Sequence, residues 1–273
     1  MASLDSQTSP YSLFQETKLQ AVSTGEEQFL LNDCNQSNYL FVILFPQLGD
    51  FDSLEYAWWL QKSWTELEAL DVTIRAVGIG NLASGRKFCH YTGFRESNLF
   101  VDPKAQLHQQ LGLYGGLSLK IPGLSATQNA WLNLLLMCAG IGSPGTLKEV
   151  LRGYTGDRAA PQLIADEEVV KAPPLPPLQG SFFNWAGGSG FQRPFELATL
   201  RLRNMGEVLS QWQTYVPDAS YLTQRGGTFL FNRNRELIYE WRDRAILGFA
   251  ENMSSPLDVL WSRLDSTSEK VKS

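Results

Sequence analysis

Residues 39–45, YLFVILF, form an unbroken run of aromatic and aliphatic side chains that ends at Pro46. Such a run, without polar alternation, is typical of a strand buried on both faces of a parallel or mixed sheet. Residues 72–79, VTIRAVGI, are also rich in β-branched side chains, and between the two runs the apolar residues of 51–70 recur at helical spacing. This order predicts a β-α-β crossover unit, because parallel strands need a long connection.

The rest of the chain extends this alternation and closes it with a hairpin. Further elements are predicted as helix, strand and helix at 82–91, 99–101 and 104–111. Near the end, two alternating runs, 227–231 and 236–241, flank the turn residues NRNR and predict a β-hairpin. A final helix is predicted at 256–264. We therefore predict an α/β fold.

The middle of the chain differs in composition from the predicted sheet. Helices are predicted at 128–139, 144–153 and 196–212, with an extended proline-rich stretch, APPLPPL, at 172–178. The loop 182–195, FFNWAGGSGFQRPF, is rich in glycine and aromatic residues. We predict one domain, 1–273, with a largely helical insertion at 117–222.

Charge and cysteine content exclude several classes of function. The formal net charge is -5 and there is no block of basic residues, so nucleic acid is not an expected partner. Three cysteines and two histidines are too few for a disulfide framework or a histidine-rich metal centre. We predict no cofactor and no metal.

The sequence predicts a protein of a reducing compartment, the cytoplasm. Residues 1–16 are polar and have neither the basic nor the apolar region of a signal peptide. The longest apolar run, 130–141, is shorter than the roughly 20 residues that span a bilayer. Peripheral membrane contact through that helix stays open as an alternative.

Acidic residues surround Ser53 at the predicted start of the 51–70 helix. Asp50, Asp52 and Glu55 favour a helix N-terminus, and Asp52 with Glu55 has the spacing of a capping box. The alternative is a Ser/Asp hydrolase-like or metal-binding centre built from the same carboxylates. Either way, these charges raise rather than lower the pKa of a nearby thiol.

Three other places carry candidate chemistry. Cys89, in KFCHY, is an alternative redox thiol, although the helix C-terminus disfavours a thiolate there. Ser143, Gly145 and Thr146 open a helix that could bind an anion, or they could form an ordinary cap. Trp185 in the glycine-rich loop could contact a planar hydrophobic ligand, or pack the insertion onto the core.

Four stretches resemble the AhpC/TSA family, especially its peroxiredoxin-like 2 branch. They are FVILFPQLGDFDSLEYA from Phe41, VTIRAVGI, FVDPKAQLHQQLGLYGG from Phe100, and RGGTFLFNRNRELIYEWRDRAILGF from Arg225. The resemblance implies a thioredoxin-like three-layer fold, with the insertion before the C-terminal hairpin, and thiol-dependent antioxidant chemistry. It also suggests a cyanobacterial or plastid form, so the plastid stroma is the alternative location.

The family's redox cysteines are missing from this chain. The motif Pro-x-x-x-Thr/Ser-x-x-Cys falls on Pro46, Asp50 and Ser53. The branch's Cys-x-x-Cys pair also falls on Asp50 and Ser53. The family's active-site arginine has a candidate in Arg225, one residue early, with Gly226 in the aligned place.

Two functions follow from this substitution. Since a serine hydroxyl has no accessible anion near pH 7 without a base, we expect a redox-inactive scaffold that binds a protein partner through its aromatic-rich insertion. The alternative is a thiol oxidoreductase or peroxidase that uses a non-standard cysteine such as Cys89.

Overall fold

The computed structural model describes residues 9–34 and 36–270, so residues 1–8 of the polar N-terminal stretch lie outside it. The strands are β1 (Lys18–Ala21), β2 (Glu27–Phe29), β3 (Tyr39–Gln47), β4 (Val72–Ile79), β5 (Leu99–Val101), β6 (Val169–Val170), β7 (Leu178–Gln179), β8 (Gly227–Phe231) and β9 (Leu237–Arg242). The α-helices are α1 (Pro10–Glu16), α2 (Phe51–Lys62), α3 (Trp64–Ala69), α4 (Leu82–Thr92), α5 (Gln106–Gln110), α6 (Ala126–Cys138), α7 (Thr146–Thr155), α8 (Glu196–Ser210), α9 (Trp212–Tyr215) and α10 (Asp258–Lys270). Short 3-10 helices span Glu96–Asn98, Gly180–Ala186 and Ala219–Tyr221.

A seven-stranded mixed sheet in the order β2-β1-β5-β4-β3-β8-β9 forms the centre of the fold. Strand β3 pairs in parallel with β4 and antiparallel with β8, and β8 continues into the predicted hairpin with β9. Two parallel strands beside an antiparallel hairpin give the thioredoxin-like arrangement, which confirms the predicted fold class.

Both faces of β3 are buried, as its unbroken apolar run predicts. Phe41, Ile43 and Phe45 belong to a cluster that also contains core residues of α2, α4 and α10. The alternate residues Leu40, Val42 and Leu44 belong to a second cluster, which contains residues of α1 and α5. Helices therefore cover the sheet on both sides, in three layers.

The N-terminal elements were not predicted from the sequence. The hairpin of β1 and β2 consists of strands of four and three residues, too short to produce a clear pattern. Helix α1 buries Phe14 edge-on against Phe229 and Phe231. Tertiary contacts rather than local periodicity therefore position this segment.

The predicted helix 51–70 is two helices. Ser63 leaves the helical conformation, and its N–H donates to the carbonyl oxygens of both Trp59 and Leu60. The chain then restarts as α3, and Trp64 is buried with its ring edge-on to that of Phe94. The break thus places Trp64 in the core.

Segment 117–222 contains helices α6 to α9 and the small β6–β7 hairpin. Its own apolar cluster includes Leu163, Phe183 and Leu200. Buried Arg193 donates to Asp166, Asn184 and Glu196 at 2.6–2.7 Å and so joins its loops. The proline-rich stretch is not extended throughout, because the Leu175 N–H donates to the Ala172 carbonyl in a turn. The division into core and insertion stays a prediction.

Among residues 9–34 and 36–270, the helices are too short or too polar to cross a membrane.

Candidate functional site

The turn from β3 into α2 carries the residues that the family motif singles out. Asp50 is the N-cap of α2, and its Oδ1 accepts from the Asp52 N–H at 3.0 Å. The predicted Asp52–Glu55 capping box is therefore wrong. Asp50, not Asp52, is the residue before the helix, so Glu55 does not stand at the capping-box position. Its carboxylate accepts from Arg201 of α8 at 2.8 and 3.2 Å.

Arg225 reaches this turn from the loop before β8. Its guanidinium donates to Asp50 at 2.7 Å, to Asp52 at 2.9 Å and to Asp243 at 3.1 Å. Arg225, Asp52 and Asp243 are fully buried. We call these four residues the Arg225 cluster. Arg225 stands one residue before the aligned position of the family's arginine, yet its side chain reaches the β3–α2 turn.

Gly226 explains why the arginine is not found in the aligned position. A Cβ atom on Gly226 would overlap the carbonyl oxygen of Leu44 and lie 2.6 Å from Cε2 of Phe249. Moving the β3 backbone and the Phe249 ring away from such an atom would disrupt close core packing and cost folding free energy. The tight approach of this loop to β3 therefore excludes any side chain at 226.

One cation faces three carboxylates in the Arg225 cluster. Burial and the neighbouring Asp50 raise the pKa of Asp52 well above its usual range, and burial raises that of Asp243. Burial opposes the charge of Arg225, but Asp50, Asp243 and Asp52 together raise its pKa above the ordinary value. Among the described residues, Oδ1 of Asp52 has no hydrogen-bond partner, whereas its Oδ2 accepts from Arg225.

Ser53, on which the family resemblance places the peroxidatic cysteine, is not activated. Its side chain is fully buried, and its Oγ donates to the Gln47 carbonyl at 3.1 Å rather than to a base. The structure thus brings together Asp50 and Arg225, with Ser53 in the next turn. It does not assemble a serine hydrolase-like centre.

The metal-binding alternative is also wrong for the part of the chain that the structure describes. There, no three histidine, cysteine, aspartate or glutamate side chains are grouped as a metal site. The physical reason is that Asp50 and Asp52 are paired with Arg225, whereas Glu55 is paired with Arg201. Arginine charge occupies the space that a cation would need.

The three cysteines differ in exposure. Cys89 is only 5% exposed, and burial raises its pKa to about 12. Cys34 is buried although it lies in a polar turn, whereas Cys138 is exposed although it ends an apolar helix. Helix α6 buries Asn133 and Met137 instead, which turns Cys138 outward.

Cys138 is exposed as a residue at the end of α6, but partial desolvation of its thiol, and then the charge of Asp50, raise its pKa. Cys138 therefore lies within electrostatic range of the Arg225 cluster. Each of the three thiols has its pKa above the ordinary value, with burial as the largest cause. Their environments keep them protonated near pH 7.

The predicted anion site at the start of α7 is closed. Ser143 and Thr146 are buried and lie 2.5 Å apart through their hydroxyl oxygens. Ser143 accepts from the Ile246 N–H at 2.7 Å, and Thr146 donates to the Ile246 carbonyl at 3.0 Å. These side chains hold the 246 loop, and Gly145 is the left-handed residue before the helix.

Trp185 lies apart from these hydroxyls, in an apolar groove, and it is 91% exposed. The structure therefore does not unite the predicted ligand-binding residues in one site. Sequence reasoning missed Asp243 and Arg201, although both complete the charge pairing at α2. Their partners are too distant in sequence to produce a local pattern.

The parallel β3–β4 pair, the β8–β9 hairpin and an arginine facing the N-terminus of α2 define a thioredoxin-fold protein of the peroxiredoxin type. The sequence profile described as AhpC/TSA antioxidant enzyme matches residues 59–245. The chain therefore belongs to the AhpC/TSA family. The matched range includes Arg225 but begins after Asp50 and Ser53.

Solved structures with a similar chain path include two bacterial proteins. Peroxidoxin BcpB from Mycobacterium tuberculosis is 9% identical, with 92% of each chain covered and a TM-score of 0.45. The bacterioferritin comigratory protein of Xanthomonas campestris is 10% identical, with 94% of each chain covered and a TM-score of 0.42. No curated protein matches the sequence.

Proposed function

We propose that this chain is an AhpC/TSA family member without thiol peroxidase activity, which acts as a binding module for a protein partner. The observation that carries the proposal is the Arg225 cluster, which fills the β3–α2 turn beside a buried Ser53. Peroxide reduction needs a thiolate, and no cysteine lies in this turn. Ion pairs and a buried serine therefore fill the turn in which the family resemblance places the thiol.

Electrostatics around the turn supports the same proposal. A reactive thiolate is stabilised by excess positive charge, but here three carboxylates share one arginine. Cys89, the alternative thiol, is buried with a pKa of about 12, so very little of it ionises near pH 7. Neither place favours a nucleophilic sulfur.

An exposed apolar face on α6 and α7 supports a protein partner. We define the α6–α7 face by Leu135, Ile141, Leu147 and Leu151, each more than half exposed. Leu147 and Leu151 lie one turn apart on α7, and a Cβ on Gly140 would contact Leu147, which links the two helices. Contiguous exposed apolar surface is typical of interaction sites.

Peroxide consumption tests the loss of activity directly. With a thioredoxin or dithiothreitol as reductant, we expect hydrogen peroxide to be consumed no faster than with a variant that has all three cysteines replaced by serine. The reason is that each of the three thiols has a raised pKa, so none is favoured as a thiolate near pH 7. Stopped-flow and coupled NADPH assays measure the two rates.

Two single variants sharpen this test. Turnover by the native chain that disappears in Cys89→Ser would overturn the proposal in favour of the thiol oxidoreductase. Ser53→Cys places sulfur in the family position, and we expect it to remain inactive because Asp50 and Asp52 oppose a thiolate. Rapid peroxide reduction by Ser53→Cys would contradict the electrostatic argument.

Affinity capture from the native cell tests the partner. We expect the double variant Leu147→Asn with Leu151→Asn to capture at least tenfold less of the partner than the native chain, since it removes the centre of the α6–α7 face. The matched control is Leu209→Asn, which changes an equally exposed leucine on α8. Equal loss in the control, or no loss in the double variant, would exclude this face.

A further inference from the structure

A large apolar groove lies between α7, α8 and the 3-10 helix Gly180–Ala186. Its volume is about 840 Å³, within the roughly 300–1,000 Å³ of small-molecule sites. Aromatic and aliphatic side chains dominate its walls, among them Val150, Tyr154, Phe182, Trp185, Phe195 and Leu202. Neither the peroxiredoxin position nor the α6–α7 face uses this groove.

The aromatic side chains at its mouth are unusually exposed. Tyr154, Phe182 and Phe195 are about half exposed, and Trp185 is almost entirely so. Phe182 and Trp185 stack with ring centroids 6.1 Å apart, and Tyr154 meets Phe195 edge-on at 6.2 Å. Contact of apolar rings with water is unfavourable, so a molecule that covers these rings gains binding free energy.

The non-aromatic polar side chains of the groove, Arg201 and Thr199, are already paired. Arg201 donates to both carboxylate oxygens of Glu55 and, at 2.9 Å, to the Glu149 carbonyl. The Thr199 hydroxyl donates to the Phe195 carbonyl at 2.8 Å. A ligand carboxylate or phosphate in this groove would thus lose water without gaining a free cation.

We propose that this groove binds one uncharged, mostly hydrocarbon small molecule, either a chain or a fused-ring system. The paired state of Arg201 excludes a charged headgroup inside the groove, and the volume fits a single small ligand. The proposal does not depend on whether the chain has thiol activity, so it can fail or succeed independently of the proposed function.

The groove floor connects this ligand to the Arg225 cluster. Phe51, the first residue of α2, and Leu247 both line the groove. Phe51 follows the N-cap Asp50, and Leu247 precedes Gly248, whose N–H donates to Asp52 at 3.3 Å. A bound molecule therefore packs against the two loops that hold the cluster.

The test is titration of the full chain with N-phenyl-1-naphthylamine, an uncharged fluorescent hydrophobe. We expect saturable binding of one probe per chain, with displacement by dodecanol at a concentration at least tenfold lower than by dodecanoate. Ala198→Trp fills the groove and should weaken probe binding at least tenfold. Leu209→Asn changes an exposed leucine of α8 that does not line the groove, and it should leave probe binding unchanged.

A second variant guards against misfolding of Ala198→Trp. Phe182→Ala removes a half-exposed ring. We expect it to lower the affinity for the probe severalfold and to leave the far-UV circular dichroism spectrum unchanged. Absence of saturable binding, equal binding by Ala198→Trp, or displacement by dodecanoate as strong as by dodecanol would each overturn the proposal. Cosedimentation with phosphatidylcholine vesicles in place of one-to-one probe binding would also overturn it, and would assign the groove to a membrane surface.

Discussion

Arg225→Met is expected to lower the free energy of unfolding by about 3–5 kcal/mol at pH 7, the range for breaking a buried ion pair by removing one partner. The substitution leaves Asp50, Asp52 and Asp243 without their shared cation, and two of these carboxylates are fully buried. Urea unfolding followed by far-UV circular dichroism measures the loss. The control, Arg233→Met, changes an exposed arginine of the hairpin turn and should shift stability by less than about 0.5 kcal/mol.

The loss in Arg225→Met should shrink as the pH falls from 7.5 to 5.5. Without the cation, the pKa values of the buried carboxylates rise further above their unfolded values, near 3.8 for Asp52 and Asp243. The folded variant then binds protons that the unfolded chain does not bind, so acid favours its folded state. A loss below about 1 kcal/mol, or one that grows in acid, would contradict the structural role of the cluster.

Gly226→Ala is expected to destabilise the fold by about 3 kcal/mol or more, or to prevent folding. Its new Cβ would overlap the Leu44 carbonyl oxygen on β3 and press on Phe249 and Pro46. Since Leu44 also pairs with β8 through Gly227, the strand cannot move away without loss of sheet pairing. Thermal and urea unfolding measure the effect.

Gly206→Ala is the matched control, because it makes the same chemical change in an open place. Gly206 lies within α8, and the nearest atom to its added Cβ is 3.9 Å away. We expect a gain of about 0.5–1 kcal/mol from helix propensity. If both glycine variants behave alike, the close approach of Gly226 to β3 does not hold in solution.

The sheet could be predicted from the sequence because its signal is local. The apolar run of β3 and the alternating strands of the hairpin appear within windows of five to nine residues. Hairpin β1–β2 and the break at Ser63 have no such signal. They depend on which side chains the neighbouring elements bury.

Exposure of the cysteines shows the same limit. Cys34 lies in a polar turn, yet it is buried, and Cys138 follows an apolar helix, yet it faces outward. Residue type fixes neither outcome. Cys34 is covered by the apolar cluster on one face of the sheet, and the packing of α6 turns Cys138 outward. Whether each thiol is accessible for redox chemistry could therefore be judged only from the tertiary structure.

The sequence by itself determined the thioredoxin-like order of elements and the absence of cysteine from the β3–α2 turn, since both are properties of adjacent residues. Only the tertiary structure decided what occupies that turn. Arg225 lies 175 positions from Asp50 in the chain, and Asp243 joins them from the end of the hairpin. Ion pairs form between groups that the fold brings together. Their energy depends on how deeply the charges are buried, which cannot be read from neighbouring residues in the sequence.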